Sequence, residues 1–147
     1  MEINGIAHVQ LTVNDFAAAR AFYGKLLPFL GLTPVMDADG FYYCVGGRTG
    51  VAISRAGDAH RQARFEQQRV GLHHVCFRAR ARADVDGVHA FVAGLGATVV
   101  HAPEEGHWAP GYYSVLFEDP DGIRIEVNHV PGKGLLDPNA PRGPVGG

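Results

Sequence analysis

The chain repeats itself once. Gly5-Ile6-x-His8-Val9 returns sixty-six positions later as Gly71-Leu72-x-His74-Val75. Gly50-Val51-x-Ile53-Ser54 returns seventy-two later as Gly122-Ile123-x-Ile125-Glu126. A duplication constrains the fold more than any single motif, because one supersecondary unit must serve twice and residues of the two halves become equivalent. Here it sets His8 against His74 in the first strands and Ser54 against Glu126 in the last.

The repeated unit reads strand, helix, strand, strand, strand. Residues 5–13 alternate, with His8, Gln10 and Thr12 on one face and Val9, Leu11 and Val13 on the other, the period of a half-buried strand. A helix follows, opened by Asn14 or Asp15 and carrying Phe16, Ala19, Phe22, Tyr23, Leu26 and Leu27 at helical spacing. Strands are expected at Thr33–Met36, Phe41–Val45 and Val51–Ser54. In the second pass, residues 71–79 place His74, Cys76 and Arg78 on one face and Val75 and Phe77 on the other. Asp84 is the expected N-cap of a helix striped with Val85, Val88, Phe91, Val92 and Leu95. Strands follow at 97–100, 112–117 and 123–127, the last two joined through Asp119-Pro120-Asp121-Gly122, a turn with Pro at its favoured second position.

The fold class is therefore α+β, with two tandem βαβββ modules at 3–55 and 71–130. A polar linker, 56–70, joins them into a single domain, 1–130. A Pro/Gly-rich tail, 131–147, follows, with Leu135 and Leu136 as its docking point. A length of 147 residues with 46% hydrophobic and 19% charged side chains suits one such domain without disulfides. The net charge of −2 speaks against a general nucleic-acid binder. It hides an uneven distribution: arginines cluster between Arg55 and Arg82, and acids between Pro103 and Glu126. No apolar run approaches the ~20 residues of a membrane span. The first twenty residues, with Glu2, Asn4, His8 and Asp15, hold no signal-peptide core. Cys44 and Cys76 form no close-spaced pair, so a reduced, cytoplasmic setting is expected.

If each apolar strand face packs under its own helix, the opposite faces carry His8, Gln10, Thr12, Ser54, His74, Cys76, Arg78, Arg124, Glu126 and Asn128. A single strand histidine is commonly just a hydrogen-bonded surface residue. Two at equivalent positions, with a carboxylate on a terminal strand, make the donor set of an open divalent metal site. With no thiolate ligand, Fe2+, Mn2+, Ni2+, Co2+ and Zn2+ are all chemically reasonable.

The paired βαβββ modules, His8 in AHVQL, His74 in HHVCF and DPDGIRIEV ending on Glu126 resemble the vicinal oxygen chelate superfamily. That group includes glyoxalase I, extradiol dioxygenases, methylmalonyl-CoA epimerase and the fosfomycin and bleomycin resistance proteins. The resemblance implies that the mixed sheets curl into an open barrel around a central metal cavity, with His8, His74 and Glu126 as ligands. It implies a metal-dependent enzyme whose small substrate chelates the metal through vicinal oxygens, by lyase, isomerase, transferase or dioxygenase chemistry. The alternative is a non-catalytic, drug-sequestering binding protein like those of bleomycin resistance. Glyoxalase I takes a further ligand from the last strand of the first module, where the repeat puts Ser54, a poor ligand. The extradiol pattern runs from a histidine through a tyrosine to the ligand glutamate. His107 and Tyr112 are the corresponding catalytic acid–base candidates, although Leu116 occupies the pattern's own tyrosine position.

Arg78 and Arg124 share the ligand face and are the candidates for gripping an anionic substrate, with pairing to Glu118 or Asp119 as their alternative role. His101, Glu104, Glu105, His107 and Trp108 are expected in a loop before the seventh strand. Cys76 reads as a cavity-wall residue, and His73, of opposite strand parity to His74, as structural. A homodimer is expected, with no nucleic-acid or membrane partner.

Overall fold

The computed structural model describes residues 1–139. The chain divides between Phe65 and Glu66, inside the expected linker, into two compact units; residues 120–122 group with the first.

The first unit comprises β1 (His8–Val13), α1 (Phe16–Phe29), β2 (Thr33–Ala38), β3 (Phe41–Gly46) and β4 (Thr49–Arg55). Its sheet runs β1-β4-β3-β2, with β1 and β4 parallel and the other pairs antiparallel. A parallel pair needs a crossover, and the intervening helix belongs to that connection. Asp15 caps α1, its carboxylate accepting the Ala18 N–H at 3.0 Å, which satisfies one of the orphan donors of the first turn. Ala19, Phe22, Tyr23, Leu26 and Leu27 are buried along the helix, and Tyr42, Cys44, Val51 and Ile53 along the strands beneath it. Burial of each large apolar side chain contributes about 1.5–3 kcal/mol. Arg20 closes the outer edge, its guanidinium 3.8 Å above the Tyr42 ring and hydrogen bonded twice to Asp37, at 3.0 and 2.6 Å.

The second unit repeats the plan with β5 (Val75–Arg78), α2 (Arg82–Gly94), β6 (Thr98–Glu105), β7 (Tyr113–Glu118) and β8 (Arg124–His129), in the order β5-β8-β7-β6. Val85, Val88 and Val92 of α2 are buried, as are Val115, Phe117, Ile125 and Val127 of the sheet. An arginine over a tyrosine recurs: Arg82 lies 3.6 Å above the Tyr113 ring and pairs with Glu105 at 2.9 Å.

Several local expectations change. Ala81, not Asp84, is the N-cap of α2; Asp84 sits in the first turn and reaches back to accept the Ala81 N–H at 2.8 Å. β6 extends to Glu105 through two register irregularities, so His101, Glu104 and Glu105 lie on a strand, while His107 and Trp108 lie in the following loop. β5 begins only at Val75, so residues 71–74 precede the ladder. Leu135 and Leu136 form a short, exposed 3-10 turn and do not dock. The part of the tail from 140 onward lies outside the described residues.

The ladders also correct the internal alignment. In the first unit His8 pairs with Gly50 and Gln10 with Ala52; in the second, Cys76 pairs with Glu126. Matching His8 to His74 therefore brings Ala52, not Ser54, to the position of Glu126. The hairpins differ as well. β3 and β4 close on Gly46 and Thr49 around Gly47-Arg48, whereas β7 and β8 close on Glu118 and Arg124 around a longer loop.

Candidate metal centre

The second unit gathers His74, Glu126 and Tyr112 from three chain segments. Residues 119–123 set the start of β8: the Ile123 N–H donates to Asp119 Oδ1 at 2.8 Å, and the Asp119 N–H donates to the Ile123 carbonyl at 3.0 Å. Gly122, at φ +84°, takes the left-handed conformation this loop requires. Glu126 then stands on the polar face of β8, across from Cys76 on one side and Leu116 on the other. Tyr112 is positioned by the loop before β7, where Gly106 N–H donates to the Tyr112 carbonyl at 3.0 Å and Tyr112 N–H to the Ala109 carbonyl at 3.1 Å.

Tyr112 Oη donates to Glu126 Oε1 at 2.5 Å, and His74 Nε2 lies 3.2 Å from Oε2. The Glu126 side chain is 12% exposed and that of His74 34%, so the carboxylate sits inside and the imidazole opens outward. Burial, followed by the hydrogen bond to Glu126, raises the Tyr112 pKa well above the usual phenol range. Tyr112 is thus a neutral donor. Cys76 keeps accessible surface, yet desolvation by the groups crowding it, with the charge of Glu126 second, pushes its thiol up to about 12. It stays protonated, as suits a wall residue.

Behind His74 stands His73, with their Nδ1 atoms 2.7 Å apart and Gln67 Nε2 at 3.2 Å from His73 Nδ1. His73 and His74 both precede the β5 ladder, where strict alternation does not govern side-chain direction. Asn128, two residues beyond Glu126 on β8, keeps its Oδ1 buried without a hydrogen-bond partner among the described residues.

The donor set fits a divalent cation. An imidazole nitrogen and a carboxylate oxygen face each other across 3.2 Å, with the other carboxylate oxygen held by a hydroxyl. Among the described residues, no three histidine, cysteine, aspartate or glutamate side chains are gathered into a ready cluster. His8 lies in the first unit, exposed at the start of β1 beside Gly50. The Tyr43 ring lies over Gly50, where any larger residue would collide with it. Further along that face Gln10 Nε2 donates to Ser54 Oγ at 3.1 Å.

The remaining candidates separate. Arg124 faces Glu118 directly across the ladder, Nε to Oε1 3.5 Å, the pairing expected as its alternative role. Arg78 ends β5 across from Asn128 and is exposed, with no ion pair among the described residues. His107 is exposed in the loop after β6 and joins neither Glu126 nor Tyr112 through a hydrogen bond.

Residues 5–127 match the family model of the Glyoxalase/Bleomycin resistance protein/Dioxygenase superfamily. The uncharacterized protein YqjT of Bacillus subtilis (strain 168) is 29% identical over 123 residues, covering 82% of this chain and 94% of its own. A glyoxalase/bleomycin resistance protein from Albidiferax ferrireducens T118 superposes with TM-score 0.69 at 25% identity, over 85% of this chain and 98% of that one. A lactoylglutathione lyase from Agrobacterium tumefaciens superposes with TM-score 0.64 at 26% identity, over 88% of this chain and 96% of that one.

Proposed function

The chain belongs to the Glyoxalase/Bleomycin resistance protein/Dioxygenase superfamily, and from that membership we propose a divalent-metal-dependent enzyme acting on a small, vicinally oxygenated, anionic substrate. His8, His74 and Glu126 hold the ion. When bound, the metal supplies Lewis-acid polarisation of the substrate oxygens. The observation that carries the reading is Glu126 fixed between the Tyr112 hydroxyl and the Nε2 of His74. Tyr112 holds one carboxylate oxygen and leaves the other for the cation. Two neutral imidazoles and one carboxylate leave a divalent ion with net positive charge, and Arg78 adds to it, favouring an anionic substrate.

Within this family the reading favours non-oxidative lyase, isomerase or transferase chemistry over ring cleavage. The Tyr112 hydroxyl is committed to Glu126 and His107 has no partner at the site, so the acid–base pair that ring opening wants is not assembled. A small-molecule substrate, a homodimer and a cytoplasmic setting complete the proposal. No described helix is long and apolar enough to cross a membrane.

The test is metal content of the purified protein, followed by turnover with Mn2+, Ni2+, Co2+, Zn2+ or Fe2+ restored after chelation. About one ion per chain and metal-dependent turnover are expected. Ligand binding that survives full chelation, with no turnover under any metal, would instead establish the sequestering alternative.

A further inference from the structure

The sequence His73-His74 puts two imidazoles side by side. A His74 that offers its Nε2 lone pair to a cation carries its single N–H on Nδ1. The acceptor within reach of that N–H is His73 Nδ1, 2.7 Å away. Gln67 Nε2 lies 3.2 Å from the same His73 nitrogen. In that tautomer the Nε2 lone pair of His74 faces Glu126 Oε2 at 3.2 Å, another acceptor. Two acceptors pointed at each other are unfavourable alone and favourable around a cation. The rings meet nearly edge-on, 5.0 Å between centroids at 73°.

We propose that His73, itself held by Gln67, is the positioning residue of the metal centre: it accepts the Nδ1–H of His74 and so keeps the Nε2 lone pair of His74 aimed at the ion. This rests on the metal-site reading above. The usual partner of a metal-bound histidine is a carboxylate or a backbone carbonyl. Here a second neutral imidazole, polarised by an amide, takes that place without adding negative charge. His73 is exposed and lies outside the β5 ladder, so its role does not depend on core packing.

The experiment reads tautomers and metal affinity separately. Long-range 15N–1H correlation spectra of the metal-free protein above pH 8 should show His74 as the Nδ1–H tautomer and His73 as the Nε2–H tautomer. His73→Ala should release His74 into a mixture of tautomers and weaken Co2+ binding about 10–100-fold. His73→Gln, which keeps an acceptor, should restore both to within a few-fold. Gln67→Ala should loosen the His73 tautomer and produce a smaller loss. Wild-type His74 carrying its proton on Nε2, or a His73→Ala protein with unchanged His74 tautomer, overturns the proposal. If the wild type binds no Co2+, the metal-site reading has failed, and the tautomer spectra still decide the hydrogen-bond assignment.

Discussion

Tyr112 donates its hydroxyl proton to Oε1 of Glu126 at 2.5 Å, while Oε2 of the same carboxylate lies 3.2 Å from His74 Nε2. The carboxylate is thereby divided between an orienting donor and an open coordination direction. A hydrogen bond to a charged group is worth about 1.5–3 kcal/mol. Tyr112→Phe should lower metal affinity by roughly tenfold or more, with the far-UV spectrum unchanged because Tyr112 lies before β7 rather than inside it. Isothermal titration with Mn2+ or Co2+ checks this. Equal affinity in variant and wild type would remove Tyr112 from the site.

The proposed ligand set is tested by metal per chain. His8→Ala, His74→Ala and Glu126→Ala should each cut bound metal sharply and keep the far-UV spectrum, since none of the three belongs to the buried core. Loss in His74→Ala and Glu126→Ala alone would identify a centre confined to the second unit and take His8 out of the ligand set.

The repeat made the architecture legible before any coordinates, because alternation and helical spacing are strong signals when they occur twice in the same order. What it could not supply was register. The match is set by the parallel ladders, Gln10 beside Ala52 and Cys76 beside Glu126, which is why Ser54 gives way to Ala52 as the counterpart of Glu126. His74 and Glu126 are legible in the sequence as candidate ligand types, and in the structure they stand 3.2 Å apart. The hydrogen bonds of His73 and Gln67 were not readable, because they arise where strand alternation stops. Nor was the pairing of Arg124, since a cross-strand neighbour such as Glu118 is known only once the register is known.

That pairing gives the two arginines different expected roles. Arg124 is engaged with Glu118, whereas Arg78 is exposed and without an ion pair among the described residues. Arg78→Ala should weaken binding of small carboxylates and phosphonates by about tenfold, an effect that shrinks as salt is raised. Arg124→Ala should change it by less than about threefold, the scale of a partly exposed ion pair. The reverse ranking would reassign the anion grip to Arg124.

Alkaline stability should report the core of the first unit. Burial, then hydrogen bonding with Cys44, raises the Tyr42 phenol to about 12. The folded state therefore favours the neutral phenol: its contribution is fully present below the ordinary phenol pKa of about 10 and is lost as pH rises through about 12. Urea midpoints measured from pH 8 to 11.5 should fall less steeply above pH 10 in Tyr42→Phe than in wild type. Parallel curves would mean that Tyr42 ionises no later in the folded chain than in the unfolded one.

The proposed reaction type rests on where the acid–base groups are. Ring-cleaving oxygenation would call on His107 and Tyr112 beside the bound substrate, yet the Tyr112 hydroxyl is held by Glu126 and its pKa is raised, so it gives up its proton less readily than an ordinary phenol. Leu116, directly across the ladder from Glu126, offers no proton at the position where the dioxygenase pattern has its tyrosine. A centre of this kind can polarise vicinal oxygens without needing either group. With the Fe2+-loaded, anaerobically prepared protein, an oxygen electrode should register no steady uptake across a catechol panel. Deuterium exchange next to a carbonyl, or turnover under Mn2+, Ni2+ or Co2+, should be measurable and should change less than about threefold in His107→Ala, a small effect beside the 10²–10⁴-fold typical of a general acid or base. Steady oxygen uptake that disappears in His107→Ala would reverse the assignment and make the chain a dioxygenase.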